Sequence, residues 1–241
     1  MITTLKKAYQ KESFNPSLLS LCINPLFFVR RGLYRGVKAN ATYMHGRMLD
    51  FGCGSKPYKS LFHVQEYVGL DIEKSGHNHA NEPIDVFYDG STIPFEDAYF
   101  DTAFSSEVFE HVANLDEILD ELYRVMKPGG VLLLTLPFLW EEHETPYDFS
   151  RYTSFGGRRM LESKGFQILK LEKSTTYVET VFQLWTVYIS QYLLPTNPYI
   201  KLLLMPFAIA PVNLLGLLLS TLLPNPQSLY HSNIIVAQKI P

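Results

Sequence analysis

The chain has 241 residues, 46% hydrophobic and 19% charged, with fifteen Tyr and sixteen Phe. That supports a sizeable buried core in one α/β domain with additional material, or two very small domains, and it excludes wholesale disorder. Two cysteines, Cys22 and Cys53, exclude a disulfide framework and a thiolate zinc site and favour a reducing compartment. The net charge of −3 hides an asymmetry: residues 1–49 hold eight Lys/Arg and one acid, Glu12, whereas the remainder holds 13 basic and 23 acidic residues. An acidic body argues against a general nucleic-acid binder, while a basic, apolar front suits an anionic membrane surface.

In chain order, MITTLKKAYQKESF opens without an apolar stretch, so no secretory signal is expected. Ser17 to Lys38 alternates Leu and Phe with Arg30, Arg31, Arg35 and Lys38 and is broken by Pro25. Two short helical pieces are expected there, either a lid packed on the domain or a surface element that touches lipid headgroups. Short strands follow at Arg47–Phe51, Glu66–Ile72, Val86–Tyr88 and Phe100–Ser105. Leu115 to Met126 has helical spacing stopped by Pro128-Gly129-Gly130, and VLLLTL at Val131–Leu136 reads as a central parallel strand. A helix over Arg158–Lys164, a strand over Phe166–Leu171 and a last strand over Asn233–Lys239 complete the alternation. Such alternation means an open, mostly parallel sheet with helices on both faces, which binds ligands at the carboxyl ends of its strands.

Between the sixth and last strands lie some sixty residues in which Lys201 is the only formal charge between Glu179 and Lys239. Val178 to Leu194 mixes Gln, Thr and Ser with aromatics, and Leu202–Leu223 is uncharged but interrupted by Pro206 and Pro211. An apolar helical hairpin is expected. Because the last strand must return to the sheet, a single membrane crossing is excluded. A monotopic hairpin in the membrane interface, burial against the domain or a dimer partner, and a two-pass hairpin all stand as readings.

The chemistry is expected where the first strand runs through Asp50 into Gly52-Cys53-Gly54, ahead of an expected helix. Pro57 stands where a dinucleotide fingerprint would have its third glycine, which weakens a nicotinamide reading. Asp71 lies 21 residues past Asp50, at the distance for a carboxylate that takes two ribose hydroxyls, and Asp89 ends the third strand, placed to accept from an exocyclic amine. Asp50, beside the glycines, suits a cationic ligand with an amino-acid ammonium. Adenosine, ribose and an amino-acid tail together describe S-adenosylmethionine.

MLDFGCG, YVGLDI, IPFEDAYFDTAFSSEVFEHV and LDELYRVMKPGGVLLLTLPF together resemble the class I S-adenosylmethionine-dependent methyltransferases of the type 11 kind, from about Gly46 to Leu171. The resemblance implies that Asp50, Gly52 and Gly54 cradle the methionine moiety, Asp71 the ribose, and Asp89 with Gly90 the adenine edge. It places Ser106 and Glu107 at the cofactor's reactive end. It also implies a Rossmann-like, seven-stranded α/β sheet whose last strand runs antiparallel. Lys56 departs from the third glycine of many relatives. With it the domains are a basic lid over 1–45, a methyltransferase core over 46–175 and 231–241, and the apolar hairpin over 176–230.

Methyl transfer is an in-line displacement helped by a base when the acceptor is a protonated O or N. His143, in the acidic-aromatic loop after the fifth strand, and His111 are the candidates, with loop organisation the competing role for each. Glu107-x-x-Glu110-His111 also has the donor types of a magnesium or manganese site; no metal is assigned. Thr153 is the expected N-cap of the next helix, and Arg151 is open to an anionic substrate. The expected function is methylation at O or N of a lipid-linked or amphipathic small molecule, in the cytoplasm and peripheral at the inner face of a membrane. Two alternatives stand: a soluble small-molecule or saccharide acceptor with the hairpin as a homodimer interface, and a non-catalytic cofactor-binding scaffold.

Overall fold

The computed structural model describes residues 12–73 and 82–240. Residues 1–11 of the expected lid lie outside that range. The chain divides into two compact units: residues 36–172 with 232–241, and residues 1–35 with 173–231.

The first unit is built on a seven-stranded sheet. Its strands are β1 (Arg47–Phe51), β2 (Glu66–Ile72), β3 (Val86–Tyr88), β4 (Phe100–Ser106), β5 (Met126–Pro137), β6 (Phe166–Lys173) and β7 (Ser232–Lys239), in the order β3-β2-β1-β4-β5-β7-β6. β1 pairs in parallel with both β2 and β4, and β4 with β5, whereas β7 runs antiparallel to β5, with Leu134 opposite Ile235. β5 starts at Met126, where Pro128-Gly129-Gly130 was expected to separate helix from strand. The register with β4 shifts between Phe100 and Thr102 to absorb that stretch.

Helix α1 (Ser20–Ile23) and α2 (Phe27–Asn40) precede the sheet; α3 (Leu115–Val125) joins β4 to β5, and α4 (Ser154–Ser163) joins β5 to β6. Thr153 caps α4 by accepting the Gly156 N–H at 3.0 Å. Both faces of the sheet are covered. Ile235 of β7 packs toward Gly157 of α4, while its neighbour Ile234 packs toward Gly36 of α2, and adjacent strand residues point to opposite faces. The core joins Leu49, Leu70, Phe109, Leu122, Leu134 and Ile235, all essentially inaccessible.

The helix expected after the glycine loop is absent. Among the described residues, β1 is joined to β2 by turns and one 3-10 turn, Lys59–Leu61. Pro57 disfavours a helical conformation at the residue before it, and Lys56 sits at φ 54°, a left-handed conformation that cannot propagate a helix. Among the described residues, no helix therefore starts from the loop.

The second unit contains α1, the start of α2, α5 (Tyr177–Tyr188) extended by a π turn at Ile189–Leu193, α6 (Pro198–Ala208) and α7 (Ala210–Leu222). α5 opens with a capping box between Thr176 and Glu179. The Tyr177 N–H donates to the Pro226 carbonyl at 2.9 Å, so the two ends of the helical hairpin meet. Phe28, Leu21, Phe182 and Leu217 form its small apolar centre.

Candidate active site

At the carboxyl end of β1, Gly52 has φ 70° and Gly54 φ 43°. A Cβ on Gly52 would lie 2.5 Å from both Val108 methyl carbons, so only glycine fits this turn. The Gly52 and Cys53 amides donate to the Leu70 carbonyl, which spends them on the sheet, and Gly54 N–H donates to Asp71 Oδ2 at 2.8 Å. Asp71 Oδ1 accepts Ile72 N–H at 2.8 Å. This buried carboxylate therefore anchors the glycine loop from the carboxyl end of β2, and a carboxylate oxygen is able to accept more than one hydrogen bond.

Asp50 is buried on β1, and its carboxyl is pushed up to about 7, first by burial, with partial relief from the Tyr67 hydroxyl, which donates to Oδ2, and from the nearby Lys56. An ammonium group would supply the charge that this site lacks. Gly69 faces Asp50 across β1 and β2, and its missing side chain leaves the space through which Lys56 passes. Lys56 Nζ then meets Asp85 Oδ2 at 2.6 Å. Burial alone would raise the Asp85 carboxyl, but Lys56 and the Gly69 amide bring it below its ordinary value. Tyr67, Lys56 and Asp85 are not among the sequence-predicted site residues; the available signal was Gly69 opposite a strand-end acid.

Asp89 is exposed. Its Oδ1 accepts from Ser91 N–H, Ser91 Oγ–H and Thr92 N–H, and these bonds lower its carboxyl to about 2. It shapes a turn whose Gly90, at φ 88°, receives the Asn114 amide on its carbonyl.

Past β4, Ser106 Oγ lies 2.9 Å from Thr135 Oγ1. Glu107 is held at φ 54° with its N–H donating to Thr135, and its Oε2 accepts from Ser232 Oγ at 2.9 Å. A non-glycine residue in the left-handed region costs about 1–3 kcal/mol; β5 and β7 together hold it there. Glu110 is almost fully buried, and its carboxyl stands well above its ordinary value because of burial first and the Glu107 carboxylate second. Glu110 Oε2 accepts no hydrogen bond.

Sequence-distant loops complete this end. His111 Nδ1 is 2.6 Å from the Tyr147 carbonyl. A carbonyl only accepts, so the proton is on Nδ1, and in the neutral ring Nε2 carries the lone pair. Nε2 lies 3.7 Å from Glu110 Oε1 and 3.8 Å from Glu144 Oε1. The His143 ring meets His111 edge-on, with centroids 4.7 Å apart. Glu110, His111 and His143 each bring a ligand atom to within 4.8 Å of the others, an N,N,O set of the type first-row divalent ions accept.

Asp148 fixes His143: its Oδ2 accepts the His143 N–H at 2.9 Å and lies 3.3 Å from Nδ1. Arg151 grips both oxygens of Asp148 and holds that carboxyl well below its usual range despite burial. Arg151 also donates to the Glu141 carbonyl. Its guanidinium therefore closes the β5–α4 loop on itself and is not displayed for an anionic substrate. Asp148→Asn is expected to release His143 and Arg151 together, lowering kcat at least tenfold with cofactor affinity unchanged, as single-turnover kinetics and calorimetry would show.

Residues 49–134 match the family model described as a methyltransferase domain. The fatty-acid O-methyltransferase of Mycolicibacterium smegmatis is 32% identical over 114 residues, covering 43% of this chain and 41% of that protein. The malonyl-[acyl-carrier protein] O-methyltransferase of Erwinia pyrifoliae is 33% identical over 95 residues, covering 37% and 36%. The matches thus span less than half the length of these curated relatives. Among solved structures, the [4+2]-cyclase SpnF superposes with a TM-score of 0.56 at 18% identity, covering 88% of this chain and 82% of that one. The phosphoethanolamine N-methyltransferase 2 of Haemonchus contortus, in complex with S-adenosyl-L-methionine, gives 0.52 at 19%, covering 86% and 52%. Both show the fold, and a cyclase among them shows that the fold does not fix the reaction. Fold, matched residues and curated relatives agree on the matched part: residues 49–134 are a methyltransferase domain of the class I S-adenosylmethionine-dependent kind.

Proposed function

We propose that this chain transfers the methyl group of S-adenosylmethionine to an oxygen or nitrogen of a lipid-linked or otherwise amphipathic acceptor, on the cytoplasmic side of a membrane. The observation that carries the reaction type is the pairing of a cofactor cradle at β1 and β2 with two imidazoles and a buried carboxyl past β4 and β5. In the cradle, Asp50 takes the ammonium, the Gly52–Gly54 turn admits the methionine chain, and Asp71 takes the ribose. Asp89 and Gly90 shape the adenine edge, and Ser106 and Glu107 border the sulfonium.

Held there, S-adenosylmethionine would supply an electrophilic methyl group and would leave as the neutral thioether. The acceptor's proton goes to a histidine. His111 Nε2 has the lone pair to receive it, with Glu110 and Glu144 beside the resulting cation, and His143 edges the same space. The fatty-acid and acyl-carrier relatives support an acyl or lipid-linked acceptor.

Labelled S-adenosylmethionine incubated with fractionated membrane lipids and cytosolic metabolites should label a lipid fraction. His111→Ala and His143→Ala should lower that labelling while cofactor affinity holds. Label confined to a soluble metabolite would replace the lipid acceptor, and loss of activity on chelation, restored by manganese, would turn the same three residues from proton carriers into metal ligands.

A further inference from the structure

In the helical unit, polar and small side chains join a small apolar centre inside, and large apolar side chains lie outside. α5 buries Thr180, Gln183 and Thr186 while exposing Leu184, Trp185 and Tyr188. α7 buries Ala210, Asn213 and Gly216 while exposing Leu214, Leu215 and Leu218. A helix that packs in water does the reverse. Most of the buried polar atoms bond to backbone: Gln183 Nε2 and Thr186 Oγ1 donate to the Pro25 carbonyl at 2.6 and 2.8 Å, Gln183 Oε1 accepts the Val29 N–H at 3.1 Å, and Asn213 Nδ2 donates to the Leu21 carbonyl at 2.9 Å, while Asn213 Oδ1 accepts no bond. These bonds satisfy backbone left open where Pro25 breaks the chain between α1 and α2. A Cβ on Gly216 would come within 2.8 Å of Phe28 and Phe182, so a small residue sets the helix approach. Small residues and hydrogen-bonded amides inside, with leucines outside, is how helices pack when their solvent is hydrocarbon.

We propose that this unit is a monotopic membrane insert: the α5–α6–α7 hairpin enters one leaflet of a bilayer and returns to the same side. Pro198–Leu222 has a mean hydropathy of 2.2 in its most apolar window, of which only 28% is buried. On α6, Tyr199 (83% exposed), Leu203 (70%) and Phe207 (77%) stand with Ile200, Leu202 and Leu204. At 100° per residue these six cover an arc of about 200°. A flat protein partner, such as a second copy, seals one side of a helix, whereas a fluid phase surrounds that arc. The meeting of Tyr177 with Pro226 puts both ends of the hairpin at one level. The first arm, residues 177–193, is about 25 Å long, short of the roughly 30 Å hydrocarbon thickness. The front's charge enters little. Arg31 is paired with Glu179 at 3.0 Å and Arg30 lies 4.3 Å over the Phe14 ring, which leaves Arg35 as the exposed arginine of α2.

The insertion deepens the lipid-acceptor reading yet is read without turnover. The full chain, mixed with phosphatidylcholine–phosphatidylglycerol vesicles, should float in a density gradient at about 0.1 M salt, where the Debye length is about 10 Å, and equally at about 0.5 M, where it is shorter. Phosphatidylcholine brominated in its acyl chains should quench tryptophan emission, and Trp185→Phe should abolish that quenching. Leu203→Glu with Phe207→Glu should cut the floating fraction at least tenfold with S-adenosylmethionine affinity unchanged. If that variant does not fold, the Trp185 quenching decides. A wild-type chain that stays monodisperse at the bottom of the gradient, unquenched, overturns the proposal; if it is then a dimer, the face belongs to a second copy. Flotation without any methylated lipid would remove the acceptor assignment and leave the insertion standing.

Discussion

Asp71→Ala should weaken S-adenosylmethionine binding at least a hundredfold. Two ribose hydroxyls lose a charged acceptor, and a hydrogen bond to a charged group contributes about 1.5–3 kcal/mol. Asp71→Asn is not a mild version. Both carboxylate oxygens accept backbone amides, from Gly54 and Ile72; an asparagine would turn its NH2 toward one of those N–H groups, so the glycine turn loosens as well as the ribose contact. Calorimetry should therefore show both variants weakened strongly, with a lower thermal midpoint for each in the absence of cofactor. Wild-type affinity in either variant would remove Asp71 from the cofactor site.

Cofactor affinity should also depend on pH through Asp50. Its carboxyl titrates at about 7 in the folded chain, against about 3.9 in an unfolded one. Below pH 7 it is neutral and offers an ammonium no countercharge; above pH 7 it is ionised. Affinity should rise roughly 25-fold from pH 5.5 to 7.5 by this group's titration alone. Folding stability without cofactor runs the other way. A carboxyl with a raised pKa stabilises the folded state fully below about pH 4 and loses that contribution as pH climbs to 7, a change of order 4 kcal/mol. In Asp50→Asn both dependences should flatten, and affinity at pH 7.5 should fall. Glu110, also raised, persists in that variant, so the difference between the two proteins isolates Asp50. An unchanged pH profile in Asp50→Asn would show that another group binds the ammonium.

Much of the sheet is legible in the sequence because its signals are local. Arg47–Phe51 and Glu66–Ile72 are bounded by glycines and polar turns, and both strands form with those limits; the last strand differs only by Ser232. The helix missing after Gly54 has a local cause: a glycine turn suits a helix start, but Lys56-Pro57 ends that option. The rest of the site depends on register and long loops. Tyr67 reaches Asp50 only because β1 and β2 pair with Asp50 opposite Gly69. His111 finds Tyr147 across 36 residues, and spacing does not encode that. The helical unit is misleading for a different reason. Gln183, Thr186 and Asn213 are interspersed among apolar residues with no local sign of which side they take, and only their bonds to the Pro25 and Leu21 carbonyls show that they point inward.

The position of β7 has a consequence for synthesis. It lies between β5 and β6, yet the ribosome makes it after the whole helical segment. Until then β6 has no neighbour linking it to the other five strands, and the ladder of β5 against β7 pairs residues about a hundred apart. Closing so large a loop is slow relative to forming helices. The leucine-rich helices are therefore complete while the sheet is still open, and a nascent chain must hold them out of contact with its own unfinished core. A supply of bilayer or holding chaperone during translation should raise the yield of folded chain more than any change made after release.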